Sequence, residues 1–327
     1  MNLSSIRAAA LGIGLAAGAL LGTGAAQAQQ AQEVTFATLA PSALLWPHAV
    51  ANAQGMYARR GIAVRELRVG SSTALVQAVA TSSANAGAAL GDASVAAIDR
   101  GAPITIAGSI IEKSILRLVV GKDVPSVKAL EGATVTAGAV QGGTANLLRL
   151  QLANRGVDPS SVKMLSLTNS KDRVVALGNG QVKGALLIAP FDTIAEREGM
   201  KVLDVYPDPY IETALIFDRN WAASHRQAAV AMTQALKEAA DWLYDPANKD
   251  KAIDILARYT STPRDICAAS YEFIINQQQA VGRGLRVEPA GLESLIRLST
   301  EAGVKQAPSS IKFDVAKYFD PSFLAGK

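Results

Sequence analysis

From Val34 onward the chain alternates short apolar runs with longer segments whose apolar residues recur every three or four positions. Val34–Leu39, Ile62–Val69, Ala86–Leu90 and Ile104–Ile110 read as strands. Pro47–Arg60, Ser71–Thr81 and Ala93–Arg100 read as the helices between them. A strand that returns through a helix lands parallel to its predecessor, so this βαβαβ order predicts a mostly parallel sheet with helices on its faces. The Ala, Gly and Ser that fill these segments suit close helix-on-sheet packing.

A second round begins after Leu116–Val120. Thr134–Ala137, Val162–Leu167, Val182–Ile188 and Val202–Val205 read as strands. Thr144–Arg155, Asp172–Gly178 and Phe191–Glu198 read as helices. The two rounds share a build but no residue-by-residue repeat. The remainder reads as helical: Ala229, Met232, Leu236, Ala239 and Leu243 form one apolar stripe, and Ile253–Tyr259, Cys267–Gln278 and Gly291–Glu301 continue the pattern. The aromatics Trp242, Tyr259, Tyr271 and Phe273 are expected in the core. No low-complexity linker separates the rounds, so the segments near 111–121 and 208–218 are expected to be short crossings.

Composition narrows the class. Met1–Arg7 carries a single positive charge, Ala8–Leu21 is an unbroken small and apolar run, and Ala26-Gln27-Ala28 offers a small-x-small cleavage pattern. This reads as a secretory signal peptide cut after Ala28, leaving a mature chain that starts at Gln29. The lone cysteine, Cys267, lies far from that cut, so neither a lipid-anchored start nor an intramolecular disulfide is expected. The mature chain must be held by its own core, and with 49% apolar residues it has the means. A formal charge of +4, scattered without a basic cluster, argues against nucleic acid as a partner.

Motifs for chemistry are absent. His48 and His225 have no cysteine near them to complete a zinc site. No G-x-S-x-G elbow occurs, and the Gly-rich GAVQGGTANLL at 138–148 has neither dinucleotide nor P-loop spacing. No cofactor, metal or catalytic residue is expected. What recurs is a loop of small polar residues between a strand end and a helix start: Ser71-Ser72-Thr73, Gly91-Asp92-Ala93 and Gly142-Gly143-Thr144. Each can be an ordinary helix cap. Helix N-termini also present unpaired N–H groups and the positive end of a dipole, and in α/β sheets such loops gather at the carboxyl ends of the strands, where ligands bind.

Several blocks together resemble the nitrate/sulfonate/taurine family of ABC-transporter periplasmic substrate-binding proteins. WPHAVANAQGMYARRGIAV (46–64) has the family's opening spacing of Pro47, Ala51, Gly55, Tyr57 and Gly61. GSSTALVQAVATSSANAGAAL (70–90), VKALEGATVTAGAVQGGTANLLRLQLANRGVDPSSVKMLSL (127–167) and DRVVALGNGQVKGALLIAPF (172–191) are similar to later blocks, in family order, and FDVAKYFDPSFL (313–324) to its tail. The resemblance implies an α/β fold of the type II periplasmic binding protein kind, with a ligand cleft between two lobes. Residues 29–118 would open lobe one, 119–212 form lobe two, and 213–327 return to lobe one and pack helices on it. It implies contacts from Ser42, Ala43 and Trp46; Ser71, Ser72 and Thr73; Gly91 and Asp92; Gly142, Gly143 and Thr144; and Pro190, Phe191 and Asp192. It also implies a periplasmic monomer that passes its ligand to an inner-membrane ABC permease with a cytoplasmic ATPase.

The chain departs from that family where Asn85 and Ala189 stand in place of frequent acidic residues. This points away from cationic ligands and toward a small organic anion, of sulfonate, carboxylate or aromatic-acid type. Lys113, Arg117, Arg149 and Arg173 are candidates to approach the cleft, but the solvated surface is the favoured reading for each. Trp46 is expected as a cleft wall, and His48, one residue into its helix, as structural. Two other readings stand beside this one: an enzyme related to the thiamin-pyrimidine synthases on the same fold, and a ligand sensor for a membrane receptor.

Overall fold

In a computed structural model the described residues are 31–206, 209–299 and 314–325. The segment read as a signal peptide lies outside them. The first half contains β1 (Gln32–Thr38), α1 (Trp46–Ala53), β2 (Ile62–Arg68), α2 (Ser72–Ala80), β3 (Ala86–Leu90), α3 (Gly91–Asp99) and β4 (Ile104–Ile111). The second holds β5 (Arg117–Val120), β6 (Thr134–Thr136), α4 (Gly143–Asn154), β7 (Lys163–Leu165), α5 (Ser170–Gly178), β8 (Gly184–Leu187), α6 (Phe191–Arg197) and β9 (Lys201–Val205). Then come β10 (Thr213–Asp218), α7 (Arg219–Ser224), α8 (Arg226–Leu243), α9 (Lys249–Thr260), α10 (Arg264–Tyr271), α11 (Pro289–Ser299) and α12 (Val315–Tyr318).

Two five-stranded sheets result, ordered β2-β1-β3-β10-β4 and β7-β6-β8-β5-β9. The parallel pairs are those expected from the crossovers, but each sheet also contains an antiparallel strand. The segment near 208–218 is more than a crossing. Its TALIFD run becomes β10, buried along its whole length between β3 and β4 and antiparallel to both. A strand covered on both faces loses the polar–apolar alternation that marks one in sequence, which is why it reads as a connection. The expected helix 47–60 is also shorter. It ends at Ala53, and Gly55 turns the chain with φ +66 before a 3-10 turn at Ala58–Arg60.

The first sheet is a middle layer. Phe36, Ala88, Leu215 and Phe217 face the cluster built by α1, α8 and α9. Ala37, Ala89, Ala214 and Ile216 face the other way, toward α2, α3 and α11. The long helices at the carboxyl end thus cover the sheet formed at the amino end, as expected for the returning segment. No helix among the described residues is long and apolar enough to cross a membrane.

The two halves meet across the carboxyl ends of their strands. The Ala43 N–H donates to Ala189 O at 3.0 Å, Arg197 pairs with Asp265, and the Arg117 guanidinium lies 5.0 Å above the Phe273 ring.

Candidate functional site

Between the halves lies a cavity of about 370 Å³. The loop after β1 contributes Pro41 and Ser42, the α4 start contributes Thr144, and α6 contributes Phe191. Residues 168–173, which open α5, form one wall, and Arg68, Tyr259, Thr260 and Ser261 form the opposite rim. The lining is rich in hydroxyls, backbone ends and cationic groups.

Arg173 is its central charge. Solvent is the favoured reading for this side chain in the sequence, but it is only 2% exposed. Its Nε donates to Asn169 O at 3.3 Å, its Nη2 to Ser170 Oγ at 2.9 Å, and its Nη1 to Leu186 O. Those acceptors are neutral, and Arg173 has no carboxylate in ion-pair contact; Asp172 is instead drawn to Asn169. Burial pulls the guanidinium pKa down to about 10, which still leaves it charged. A guanidinium has five N–H donors, and the three acceptors here take only part of that capacity. The start of α5 beside it, capped by Asn169, adds the positive end of a helix dipole.

The opposite rim is held differently. Glu66 accepts from Arg68 Nε at 3.0 Å and from the Tyr259 hydroxyl at 3.2 Å, and lies 2.7 Å from His48 Nε2. The hydrogen bond with His48 is the foremost cause of a carboxyl pKa brought down to about 2. His48 also meets the Tyr57 hydroxyl at 2.9 Å, so the structural role expected for it is what the contacts give. Arg68 is therefore neutralised and oriented from behind, whereas Arg173 is not.

The residues carried over from the family resemblance divide. Ser42, Thr144 and Phe191 line this cavity. Thr73, Asp92 and Gly143 line a separate one of about 560 Å³, between α2, α3 and the start of α4. Ser71 caps α2 by accepting from Ala74 N, and Ser72 Oγ accepts from Leu90 N. Gly91 lies under the second crossing, its N–H donating to Glu212 O, and Gly142 is the residue before α4. Ala43 is buried in the contact with Ala189, and Pro190, after a cis peptide bond, precedes α6. Asp192 is fully buried and taken up by Arg117 at 3.1 Å. Arg117, for which solvent is the favoured reading, is mostly buried and paired with Asp192 and Glu196.

Trp46 departs furthest from its expected place. It is fully buried, its indole N–H donates to Ala252 O at 3.1 Å, and its ring meets Tyr271 edge-on at 5.9 Å. It is core, not cleft wall.

Two wall segments are not among the loops singled out in the sequence, although Arg173 of the first is a basic candidate for the cleft. TNSKDR at 168–173 has the same strand-to-helix form as the three loops singled out, so the same rule would have found it. Tyr259–Ser261 end a helix distant in sequence, and nothing local marks them.

Deeper between the halves, Asp92 and Glu212 are buried carboxylates, each with one oxygen lacking a hydrogen-bond partner. Desolvation pushes Asp92 up to about 6 and Glu212 up to about 8. Gly143 makes the packing against Asp92 possible: a Cβ there would lie 2.1 Å from Asp92 Oδ1.

Two α/β halves, two crossings and a cavity at facing strand ends define a periplasmic binding protein fold. The pattern of the NMT1/THI5-like family matches residues 45–249, and the chain belongs to that family. Its fold is similar to that of a ligand-binding component of an ABC-type import system from Staphylococcus aureus, solved with zinc bound. That likeness has 15% identity and a TM-score of 0.71, over 90% of this chain and 98% of that one. It is similar also to the alkanesulfonate-binding protein of Xanthomonas axonopodis pv. citri bound to MOPS (16% identity, TM-score 0.64, 73% of this chain and 83% of that one). A third likeness is the periplasmic nitrate-binding protein of Synechocystis PCC 6803 (16%, 0.65, 74% and 70%). No curated protein sequence matches the chain.

Proposed function

We propose that this chain is the solute-binding component of an ABC importer, capturing a small organic anion between its halves. The reading rests on Arg173, a buried guanidinium without a carboxylate partner on the wall of the 370 Å³ cavity. A buried charge left unpaired is costly, and an anion seated there would offset it. Arg68 is already balanced by Glu66, and Lys171 and Asp172 on the α5 wall are of opposite sign, so the count leaves Arg173 and favours a single negative charge, as on a sulfonate or carboxylate. Ser42 and Thr144 add hydroxyl donors, and Phe191 an apolar face for the body of the ligand.

The alkanesulfonate- and nitrate-binding proteins of similar fold support this class of ligand. In this reading the protein is exported to the periplasm, works as a monomer without turnover, and delivers its ligand to a membrane permease and its ATPase. The alternative of an enzyme that relies on histidine and cysteine chemistry finds less support in these side chains, of which His225 stacks on Trp221. His48 is held between Tyr57 and Glu66, and burial raises the Cys267 thiol to about 11.

Thermal-shift and calorimetric screening of the mature protein against alkane sulfonates, short carboxylates and aromatic acids tests the proposal. One of these acids is expected to bind stoichiometrically and unchanged. Arg173→Gln is expected to weaken that binding at least about tenfold, the loss of a charge-assisted bond. Stabilisation by organic cations, with no response to any acid, would overturn it.

A further inference from the structure

The 560 Å³ cavity is separate from the one just assigned, and its chemistry is opposite. Its floor is apolar, made by Val76 and Ala80 of α2 and by Ala93, Ala96 and Ala97 of α3. At one end stands Asp92, only 7% exposed, with Oδ1 lacking any hydrogen-bond partner. The uncharged Thr73, Gln77 and Gln141 line the same cavity.

We propose that this cavity is a binding site for a linear primary ammonium ion, its aliphatic stem on the alanine floor and its N–H groups at Asp92. The backbone N–H groups of Asp92 and Ala93 already bond the carboxylate, but Oδ1 has no partner and no cation pairs with the group. An ammonium brings both the positive charge and a donor for Oδ1, whereas a neutral alcohol brings only a donor. A divalent cation needs more oxygen ligands than are gathered here, since the described residues hold no group of three acidic, histidine or cysteine side chains suited to a metal. Arg100 sits at the far end of α3, about 12 Å along the helix from Asp92 at ~1.5 Å per residue. That cation disfavours a second ammonium and makes a monoamine the better fit. Gln141 and Gly143 belong to the other half, so the site is complete only when the halves are together.

The charged and titratable neighbours are few. The second crossing contributes Glu212 and Tyr210, with Tyr206 against Tyr210. Helix α3 contributes Arg100, and α4 contributes Arg149, which is engaged by Asn146 Oδ1 and Val140 O, both at 2.9 Å. The face of α2 contributes none. Burial holds Glu212 protonated until about pH 8 and Asp92 until about pH 6, so near pH 7.5 the pair carries about one negative charge, the complement of one ammonium.

Isothermal calorimetry of the mature protein with n-butylammonium chloride at pH 7.5 tests this, with n-butanol as the uncharged match. Saturable binding of one butylammonium per chain is expected, with none for butanol. Asp92→Asn is expected to weaken it at least tenfold, and so is lowering the pH to 5. Ala96→Leu, which fills the floor and leaves the carboxylate untouched, is expected to do the same and provides the test should Asp92→Asn misfold. No saturable heat from butylammonium, or wild-type affinity in either folded variant, overturns the proposal. Acid binding at the Arg173 cavity is measured alongside, so failure of one site is distinguishable from failure of the other.

Discussion

A tryptophan in an apolar cluster must place its indole N–H on an acceptor, and Trp46 does so on Ala252 O while its ring packs against Tyr271. Trp46→Phe keeps most of the packing and removes the bond. It should cost about 1 kcal/mol in urea unfolding and leave acid affinity within about twofold. Glu212 is governed by the opposite imbalance. Its carboxyl, raised from 4.5 to about 8 by desolvation, binds its proton more tightly folded than unfolded. Stability contributed by that proton is full below pH 4.5 and is lost as pH rises toward 8. Asp92 behaves likewise between 3.8 and about 6. The melting temperature should therefore fall between pH 6 and 8, and Glu212→Gln should flatten that decline. An unchanged slope in the variant would show that other groups set it. In sequence Asp92 reads as a helix cap or a ligand contact and Glu212 carries no local signal, because the desolvation arises from segments far apart in the chain.

At the level of elements, β10 governs the first sheet. It joins β3 to β4 and brings Leu215 and Phe217 onto one face, Ala214 and Ile216 onto the other. Phe217 is fully buried and meets Phe323 at 5.2 Å and Trp221 at 5.9 Å. Phe217→Ala should cost about 3–5 kcal/mol by denaturant unfolding, the usual cost of truncating a buried aromatic. The strands and helices of the two rounds were legible because each carries its own period or its own cap. Strand β10 was not, since a short run buried on both faces carries no period. The opening of α5 was legible by the same strand-to-helix rule that picked out the loops at Ser71, Gly91 and Gly142. Arg173 itself stands among four basic candidates for the cleft, and solvent is the favoured reading for it because in one dimension it looks like any surface arginine.

For the whole molecule, the contact of Asp92 with Gly143 couples the site to the approach of the halves. Gly143→Ala places a methyl 2.1 Å from Asp92 Oδ1, a distance that forces the two apart. Small-angle scattering should then report a larger radius of gyration than for the wild type, with weaker ligand binding and little change in helix content. An unchanged radius would mean that Asp92 gives way locally. The sequence by itself determined the two α/β rounds, the helical return and the absence of known catalytic motifs, because these depend on local period, capping and residue type. Only the tertiary structure decided which polar side chains share a cavity, that Trp46 is core, and that Arg173, Asp92 and Glu212 are buried. Burial and charge compensation depend on segments separated by up to hundreds of residues, and no local pattern encodes them. The stretch LAPSALLWPHAV (39–50) illustrates the division: its turn and the proline that starts α1 are local, and Ser42 lines the cavity while Trp46 does not because of what α9 and α10 pack against.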